Sequence, residues 1–384
     1  MRRKLLFVVT EDWYFCSHRF ALARAAMGEG YDVTVVTKVS RHGEAIRSAG
    51  IDLVNVDFQR SARHPLKDLI LCVNLIKLYR TIKPDLVHHV SLKPVLSGSI
   101  AAAMTKVPIV INALTGLGYL FSSNEKKAII IRSLIKPFLS LFLNRRNSWT
   151  IFQNSNDQEL LSSQGIKTGH AVLIRGSGVD VRQFTPAAEP EGDIMVILAA
   201  RMLKDKGVYE FVKAAQVCQG QGLKATFVLV GDVDRENPMS VSPAQLKEWQ
   251  TGGVVEWWGH REDMADVLRQ AHIICLPSYR EGLPKILLEA AAAGRPIIAG
   301  DVPGCTEIVI DGVNGLLVPV RNAEKLAAAL KRLIESRELR ETMGKRGRAL
   351  VEKEFSVEMV NARILALYRD AIQHHGNNEV EFNA

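Results

Sequence analysis

Short apolar runs alternate with amphipathic stretches along the whole chain. In the first half, the apolar runs predict strands at Lys4–Thr10, Asp32–Thr37, Asp52–Val56, Asp85–Val90, Pro108–Asn112, Trp149–Asn154 and Ala171–Ile174. In the second half they predict strands at Asp193–Ala200, Ala225–Gly231, Val254–Trp257, His272–Pro277, Pro296–Ala299 and Gly315–Val318. Such alternation is typical of parallel sheets covered by helices, here twice over. The predicted fold class is α/β, with two Rossmann-like, doubly wound domains.

Length and one polar stretch suggest where the domains divide. The chain has 384 residues, more than one typical domain. The segment TPAAEPEGD (185–193) is polar and contains prolines, which predicts a linker. We therefore expect an N-terminal domain at 1–184, a C-terminal domain at 194–375 and a frayed tail at 376–384. Doubly wound domains bind ligands at the carboxyl ends of their strands, so a central cleft is the expected active site.

The most informative motif is SYREGLPKILLE at 278–289, which indicates a strand, an acidic loop and a helix. Pro284 suits the first helical position, and Gly294 suits the position just past the helix end. The free N–H groups at such a helix start favour phosphate. Glu281 and Glu289 cannot favour phosphate, but their carboxylates accept hydrogen bonds from sugar hydroxyls. The motif therefore predicts a sugar-nucleotide site, with two surface glutamates beside a turn as the alternative.

Two cations follow another predicted strand. Arg201 comes directly after IMVILAA, and Lys206 with Gly207 opens the next predicted helix. Phosphate would meet both positive side chains together with free backbone donors. Charge builds on a diphosphate as its sugar leaves, so this clamp is expected to strengthen in the transition state. A solvated basic loop is the alternative.

Together these motifs resemble family 4 retaining glycosyltransferases of the GT-B fold, over nearly the whole chain. The resemblance implies that Arg201 and Lys206 clamp the donor diphosphate. It also implies that Glu281 binds the donor sugar and Glu289 the ribose hydroxyls, while the turn WWGHRED lies near the nucleobase. The catalytic set is then Arg201, Lys206 and Glu281. The other predicted donor-site residues are Gly231, His260, Arg261, Gly282, Leu283, Pro284, Lys285 and Glu289.

The loop TEDWYFCSHR (10–19) lacks the glycines that most family 4 enzymes have there. It is similar to the capsular-polysaccharide branch, whose members add amino sugars to lipid-linked acceptors. The stretch TGLGY shares that similarity, but Thr115 stands where many relatives have histidine, so no catalytic histidine is assigned. His88 and His89 are interpreted as packed or solvated, with a catalytic role as the alternative. The predicted acceptor-binding residues are Glu11, Asp12, His18, Arg19, Thr115, Gly116 and Gly118.

Metals and other cofactors are not predicted. Asp232 and Asp234 form a D-x-D triplet, which holds a divalent metal in other transferases, but Arg201 and Lys206 already supply the charge of a metal. The five cysteines are scattered without a C-x-x-C pair. Their pattern argues against a disulfide framework or structural zinc, and it favours a reducing compartment.

The formal net charge of +8 is unevenly distributed, since residues 1–185 carry +12 and the remainder −4. Such asymmetry predicts an anionic partner of the first half, either nucleic acid or an anionic membrane surface. The segment KKAIIIRSLIKPFLSLFLNRR (126–146) is apolar, basic and free of acids, which suits a helix in a membrane interface. A core helix with a basic outer face is the alternative, and Pro137 is expected to kink or divide the helix. The predicted membrane contacts are Lys126, Lys127, Arg132, Lys136, Arg145 and Arg146.

The chain lacks an apolar run of about 18 residues, so no spanning helix is expected, and its start is interpreted as a strand, not a signal peptide. The resemblance implies a hexosyltransferase, cytoplasmic and peripheral at the inner face of the cell membrane. It would move an N-acetylhexosamine such as GalNAc, GlcNAc or FucNAc from UDP to a polyprenyl-diphosphate-linked saccharide, in polysaccharide or glycan assembly. The alternatives are a nucleotide-sugar epimerase of the same architecture and a non-catalytic sugar-nucleotide-binding subunit. Nucleic acid is not expected as a partner, because no recognition motif is present.

Overall fold

The computed structural model describes residues 2–58, 65–117, 121, 126–235 and 237–382. The chain divides into two compact units, each with its own parallel sheet. The first unit comprises Met1–Ser177 together with Val360–Ala384, and the second comprises Gly178–Met359.

The first unit is built on a seven-stranded parallel sheet with the order β3-β2-β1-β4-β5-β6-β7. The strands are β1 (Arg3–Glu11), β2 (Tyr31–Lys38), β3 (Asp52–Asn55), β4 (Leu86–Val90), β5 (Ile109–Leu114), β6 (Ser148–Phe152) and β7 (His170–Leu173). The helices between them are α1 (Asp12–His18), α2 (Phe20–Gly28), α3 (Gly43–Ser48), α4 (Pro65–Ile82), α5 (Leu92–Thr105), α6 (Lys126–Leu143) and α7 (Ser155–Ser163). The strand order reverses between β1 and β4, the point at which doubly wound sheets bind ligands.

Strand β1 shows how the alternating side chains divide the first core. Phe7 packs with the cluster that contains residues of α1, α2 and α3, whereas Leu6 and Val8 pack with residues of α4 and α5. Because successive side chains of a strand point to opposite faces, the two helix layers cover opposite faces of the sheet. Helix α5 also packs against α6, which places α4, α5 and α6 in one layer.

The second unit contains a six-stranded parallel sheet with the order β10-β9-β8-β11-β12-β13. Its strands are β8 (Ile194–Ala199), β9 (Ala225–Val230), β10 (Glu256–Gly259), β11 (Ile273–Leu276), β12 (Ile297–Gly300) and β13 (Gly315–Val318). Its helices are α8 (Val208–Gly220), α9 (Pro243–Thr251), α10 (Met264–Gln270), α11 (Lys285–Ala292), α12 (Pro303–Thr306), α13 (Ala323–Glu335) and α14 (Arg337–Glu354). The chain ends with α15 (Val357–Phe382). Here the strand order reverses between β8 and β11, so the α/β prediction is confirmed for both units.

Each predicted strand is present in the structure, with ends that shift by about two residues or fewer, the usual uncertainty of element boundaries. The predicted linker differs from the observed boundary. Residues 185–193 belong to the second unit, and the chain passes between units at Ser177–Gly178. The reason is a buried contact: Glu189 accepts hydrogen bonds from Nε and Nη2 of Arg340, at 2.9 and 2.5 Å. A polar, proline-containing stretch is thereby fixed on the second unit.

The C-terminal end also differs from the prediction. The chain returns to the first unit at Val360, within the range predicted for the second domain, and α15 continues to Phe382 where a frayed tail was expected. The cause is a helical row of apolar residues that packs into the first core. Its members are Val360, Ile364, Leu367, Tyr368 and Ala371.

Within the described ranges, no helix is both long enough and apolar enough to cross a bilayer.

Candidate active site

The acidic loop after β11 is fastened to the turn that carries Lys206. Ser278 is fully buried, and its hydroxyl donates to the carbonyl oxygen of Asp205 at 3.0 Å. The N–H of Tyr279 donates to the same oxygen at 2.8 Å. Since β8 and β11 are neighbours, the loops that leave them meet at the reversal of strand order. Ser278 and Tyr279 were not predicted as anchoring residues, because nothing in the motif distinguishes them from surface polar residues.

Lys206 and Glu281, both predicted site residues, are in direct contact. Lys206 Nζ lies 2.5 Å from Glu281 Oε1, and the two side chains are 18% and 10% exposed. The pair is therefore mostly buried, yet both groups still reach solvent. The structure therefore places a cation and a carboxylate side by side at the end of the sheet.

Two glycines allow the loop to approach its neighbours closely. Gly207 has φ +73°, and a Cβ atom there would lie 2.3 Å from the carbonyl oxygen of Pro277. At Gly304, an added Cβ would lie 2.6 Å from the carbonyl oxygens of Glu281 and Gly282. Any larger side chain would push the neighbouring backbone segments apart, so glycine at both positions allows the loop to pack this closely.

Arg201 occupies the predicted position just past β8, but it has a partner that the sequence did not reveal. Its Nη1 lies 2.7 Å from Oδ2 of Asp234, the second carboxylate of the D-x-D triplet, and the arginine side chain is 52% exposed. In the described part of the chain, no three His, Cys, Asp or Glu side chains are arranged to hold a metal ion. The prediction that the site needs no metal remains a prediction.

Glu289 lies on α11, buried except for a small exposed fraction. Lys285, one turn earlier on the helix, places Nζ 3.1 Å from Glu289 Oε1. Burial raises the pKa of the Glu289 carboxyl above its ordinary value, and the neighbouring Lys285 opposes this effect. The carboxylate therefore needs hydrogen-bond donors in addition to Lys285 to be fully stabilised.

The start of α11 differs by one residue from the prediction. Pro284 is the N-cap, not the first helical residue, and the helix begins at Lys285. Leu283 precedes this cap and packs against the core of the second unit. At the other end, Gly294 has φ +69° just beyond the helix, as predicted. The N–H groups of the first helical turn thus lie directly after the acidic loop.

The Gly231 turn joins the ends of three strands. Gly231 has φ +136°. Its N–H donates to the carbonyl oxygen of Gly259 at 2.7 Å, and its own carbonyl oxygen accepts from Trp257 Nε1 at 2.9 Å. An added Cβ would lie 1.9 Å from the carbonyl oxygen of Ala200. Only glycine fits this crossing.

His260 and Arg261 lie on an exposed turn after β10. The His260 side chain is 55% exposed, and its Nε2 lies 4.0 Å from Glu262. Arg261 Nε donates to Asp263 at 2.7 Å, and its guanidinium lies over the ring of Trp258. These contacts engage Arg261 within its own turn, so its predicted role in nucleobase binding remains untested.

In the first unit, Asp12 is held entirely by the protein. Its side chain is fully buried and accepts from the N–H and hydroxyl of Ser40 at 2.7 and 2.5 Å, and from the N–H of His42 at 2.9 Å. Burial acts to raise its pKa, but the bonds from Ser40, His42 and Trp13 outweigh burial, and the pKa lies below its ordinary value. The prediction of Asp12 as an acceptor contact is therefore corrected: this carboxylate fixes the loop after β2.

Arg19 is likewise buried, with 3% of its surface exposed. Its Nη1 donates to the carbonyl oxygen of His18 at 3.3 Å, and burial lowers the pKa of its guanidinium. His18 stacks on Tyr14 with ring centres 4.1 Å apart, and Glu11 ends β1 with 8% exposure. Burial removes Arg19 from the predicted acceptor contacts, whereas the roles of His18 and Glu11 stay predictions.

Thr115 lies at the carboxyl end of β5. Its hydroxyl is 3.1 Å from that of Ser91, which ends β4 and has φ +77°, a rare value for a residue other than glycine. Gly116 has φ +103°, a conformation that glycine adopts readily, and its role in acceptor binding stays a prediction. Gly118 lies outside the described residues.

The histidine pair of β4 is part of the core. His89 is hydrogen-bonded to Asn112 Oδ1 at 2.8 Å and to the hydroxyl of Tyr79 at 2.9 Å, and His88 Nδ1 lies 2.5 Å from the hydroxyl of Tyr368. Neither histidine is exposed, and burial lowers the pKa of His89 to about 4. The packed interpretation is therefore confirmed.

Helix α6 turns an apolar side outward. The large exposed residues are Ile129, Ile130, Leu134, Phe138 and Leu141, with exposed fractions from 46% to 65%. The alternative of a core helix with a basic outer face is therefore wrong. The helix also continues through Pro137, so the proline does not divide it.

The basic residues predicted for the membrane lie in different surroundings. Arg132 is partly buried and donates to the carbonyl oxygen of Phe121 at 3.3 Å, so it is not an outward contact. The others whose side chains are described are exposed, whereas the side chain of Lys127 lies outside the described residues. The exposed members are Lys126, Lys136, Arg145 and Arg146.

The chain matches two families of glycosyltransferases. The family described as glycosyl transferases group 1 matches residues 181–350, and the family described as glycosyl transferase 4-like matches residues 4–154. The first match contains the Arg201 to Glu289 site, and the second contains most of the first unit.

Two curated relatives resemble the chain over most of its length. The Campylobacter jejuni N,N'-diacetylbacillosaminyl-diphospho-undecaprenol alpha-1,3-N-acetylgalactosaminyltransferase is 28% identical over 93% of this chain and 96% of its own length. The Escherichia coli UDP-Gal:alpha-D-GlcNAc-diphosphoundecaprenol alpha-1,3-galactosyltransferase is 25% identical over 80% of this chain and 81% of its own length. Both names describe transferases, and neither describes an epimerase.

Among solved structures, Anabaena HepE in complex with UDP and glucose is similar, with a TM-score of 0.77 and 18% identity. The match covers 96% of this chain and 99% of HepE. At this identity the likeness shows the fold alone, which is the GT-B arrangement of two Rossmann-like domains.

Proposed function

Because the chain belongs to the group 1, family 4-like glycosyltransferases, we propose that its second unit binds a UDP-sugar and that the enzyme transfers the sugar to a polyprenyl-diphosphate-linked saccharide. Glycosyl transfer is the activity of the family. The identity of the donor, the identity of the acceptor and the roles of individual residues are proposals. The epimerase and the non-catalytic subunit are not favoured by any observation.

The contact between Lys206 and Glu281 carries the proposal for the donor site. Each is the other's charged partner, and both reach solvent next to the N-terminus of α11. A diphosphate offers Lys206 a second anionic partner, and sugar hydroxyls offer Glu281 donors. The free N–H groups of the first turn of α11 favour the phosphate charge. The pair can thus exchange its internal contact for contacts with a sugar nucleotide.

Arg201 and Glu289 extend the same site in the proposal. Arg201 is half exposed and paired with Asp234, so its guanidinium can donate to phosphate as well. The Glu289 carboxylate is largely buried and requires donors, which the two hydroxyls of a ribose would provide. These roles match those implied by the resemblance to family 4.

The proposed reaction retains the anomeric configuration. The bond between the anomeric carbon and the diphosphate oxygen breaks, and its electron pair stays on the diphosphate. An acceptor hydroxyl attacks the same face and forms the new glycosidic bond, while its proton passes to the departing diphosphate. Lys206 and Arg201 stabilise the charge that develops on the leaving group, a contribution that costs little reorganisation when the donors are already in place.

The proposed substrates follow the two curated relatives. The C. jejuni relative transfers N-acetylgalactosamine, and both relatives act on a saccharide linked to undecaprenol by a diphosphate, as their names state. The E. coli relative uses UDP-galactose as its donor. We propose an N-acetylhexosamine on UDP, the class to which the C. jejuni relative and the resemblance both point.

A lipid-linked acceptor requires the enzyme to work at a membrane, and the first unit supports peripheral binding there. The outward side of α6 is apolar, and α4 adds a second exposed apolar row in the same helix layer. Its members are Leu66, Leu69, Ile70 and Val73, with exposed fractions from 41% to 75%. Apolar rows near an excess of basic residues suit the interface of an anionic bilayer.

Release of nucleoside diphosphate from a panel of sugar nucleotides, with and without a bacterial lipid extract, tests the proposed function. We expect release from one UDP-N-acetylhexosamine, only when the extract is present, and a new lipid-linked product. Conversion of the sugar nucleotide without extract and without nucleotide release would instead support the epimerase. Binding of a UDP-sugar without either reaction would support the non-catalytic subunit.

A further inference from the structure

We propose that a basic groove at the C-terminal end of α6 binds the phosphate headgroup of an anionic phospholipid. The groove has a volume of about 870 Å³, and its basic lining residues are Lys106, Arg145 and Arg146. We call it the headgroup groove. The inference rests on the proposed membrane association and extends it to a defined site and ligand class.

The charges of the headgroup groove are of one sign. Lys106, Arg145 and Arg146 are exposed, and the lining contains no carboxylate among the residues that the structure describes. Nor does any carboxylate of the described ranges form an ion pair with these three side chains. This differs from Lys206, whose charge is paired with that of Glu281. An unneutralised group of three cations in a concave surface favours a bound anion.

The groove also continues into the apolar outer side of α6. Leu141 lines the groove and is 62% exposed, and it belongs to the same outward row as Phe138 and Leu134. A ligand that fits both parts has a phosphate next to hydrocarbon. A phospholipid in a bilayer has this chemistry. Its phosphate would contact the cations of the groove, and the outward apolar row of α6 would lie at the boundary between the headgroups and the acyl chains.

The headgroup groove lies away from the end of the sheet at which ligands bind. Pro108 and Asn147 line it, and they immediately precede β5 and β6, so it lies at the amino ends of these strands. Thr115 and Gly116 lie at the carboxyl end of β5. The 18 residues of α6 span about 27 Å at 1.5 Å per residue. The groove is therefore placed to bind bilayer lipid rather than the reacting end of an acceptor.

Lys106 was missed by the sequence analysis, because a lone lysine after a helix carries no signal. It is the C-cap of α5 and has φ +58°, in the left-handed region where glycine or asparagine is the less strained choice. A cation near a helix C-terminus is favourable in itself, which is a purely local explanation for this lysine. The substitution Lys106→Asn separates the two roles, because asparagine tolerates the backbone but lacks the charge.

The test compares two variants that each lose three positive charges. One is Lys106→Asn with Arg145→Gln and Arg146→Gln. The control is Arg24→Gln, Arg47→Gln and Arg363→Gln, whose exposed arginines lie on α2, α3 and α15. Helices α2 and α3 and the part of α15 next to Arg363 pack on the opposite face of the first sheet, whereas His375, farther along α15, lines the groove. Melting temperatures of both variants establish that they fold.

Partitioning onto phosphatidylcholine vesicles, with and without phosphatidylglycerol, is the measurement. We expect wild-type protein to prefer the anionic vesicles. A cation contributes to partitioning only when it lies within about a Debye length of the anionic bilayer. The groove variant is therefore expected to lose on the order of 100-fold in partitioning, because its three cations would lie against the bilayer, and the control less than about tenfold, because its arginines would lie farther away. Equal losses in the two variants would overturn the inference, because net charge alone would then explain binding.

Competition identifies the source of the phosphate. If the groove binds lipid, partitioning should not change when inorganic phosphate or glycerol phosphate is added at the same concentration as the lipid of the vesicles. Displacement of the wild-type protein from the vesicles by either compound, if absent in the groove variant, would assign the groove to a soluble anion. The same result with a single-stranded oligonucleotide would assign it to nucleic acid. Either result would overturn the inference. Transfer to a detergent-solubilised acceptor by wild-type protein reports the proposed function separately, so failure of one does not imply failure of the other.

Discussion

The two units have sheets with the same order around the reversal of strand order, yet they use charge at that point in opposite ways. In the first unit, Asp12 follows β1 and is buried beneath hydrogen bonds from the backbone and from Ser40. In the second unit, Lys206 follows β8 and is paired with Glu281 within reach of solvent. The same position in the topology holds a buried carboxylate in one unit and a solvent-accessible charged pair in the other.

The difference lies in the partner of each charge. Backbone N–H groups that bind Asp12 cannot leave without unfolding the loop, so that carboxylate is committed to the fold. A side-chain partner such as Glu281 can rotate away when a ligand offers a better contact. A motif of charged residues therefore indicates ligand binding only when a ligand can replace the partners of those charges. Which partners the charges have depends on the fold.

The largest effect is expected from Lys206→Ala. Loss of a preorganised cation at a developing negative charge is expected to lower turnover by about 100- to 1,000-fold. The melting temperature should change little, because the side chain faces the site. Steady-state kinetics and thermal unfolding measure the two quantities, with Lys204→Ala as the matched control in the same turn. A large fall in melting temperature with unchanged specific activity would assign Lys206 to the fold.

The reverse result is expected for Asp12→Asn. An amide accepts through its single oxygen only and presents an NH2 group where the carboxylate has its second oxygen, so some of the bonds to this side chain are lost and the free energy of unfolding should fall by about 2–3 kcal/mol. Turnover per folded molecule should remain close to that of the wild type. Urea unfolding and kinetics test both, with exposed Glu44→Gln as the control. A normal stability with lost turnover would return Asp12 to the acceptor site.

The same carboxylate also predicts how stability depends on pH. Its folded pKa lies below the ordinary value of 3.8, so its contribution is present above that value and is lost as the pH falls through the lower folded pKa. Wild-type protein should therefore lose stability below about pH 4, and Asp12→Asn should lose less over that interval. Parallel acid-unfolding curves for the two proteins would contradict this assignment.

A smaller effect is expected at Glu289. Because burial raises its pKa, the carboxylate becomes protonated at a higher pH than an exposed glutamate, and the donor KM should rise as the pH falls through that raised pKa. Glu289→Gln should raise the donor KM by about tenfold near neutral pH and remove this pH dependence. Exposed Glu262→Gln is the control. A KM that depends on pH equally in both variants would exclude Glu289 as its source.

The smallest effect is expected at Arg261, which is engaged by Asp263 and Trp258. Exposed ion pairs of this kind contribute little, so Arg261→Ala should change the donor KM by about threefold or less. A much larger increase, measured with the same donor, would show that the turn opens and that Arg261 binds the nucleotide.

The fold and the donor site were predictable to different depths. Strand positions followed from apolar runs and turns, because a parallel strand buried on both faces leaves a local signal. Glu281 and Glu289 were predicted from the strand, loop and helix around their motif, and Lys206 from its position after another strand; their roles in donor binding remain proposals. The contact of Asp234 with Arg201, by contrast, depends on loops distant in sequence and was not visible there.

Burial was the property that sequence reasoning could not supply. Asp12 and Arg19 have the composition of a binding loop, but their burial depends on α2, α3 and α15 packing around them. The outward apolar row of α4 has the same period as an ordinary core helix, since periodicity does not tell which side of a helix is covered. The segment 185–193 likewise resembles a free linker until Arg340 is placed beside Glu189.

Calorimetric titration of UDP into wild-type protein, Lys206→Ala and Asp12→Asn distinguishes the two charges. We expect the Kd for UDP to rise by about 10- to 100-fold in Lys206→Ala, because one charged hydrogen bond is lost. We expect folded Asp12→Asn to bind UDP as the wild type does. Wild-type affinity in Lys206→Ala would contradict the claim that the charge at the end of β8 is the one available to the ligand.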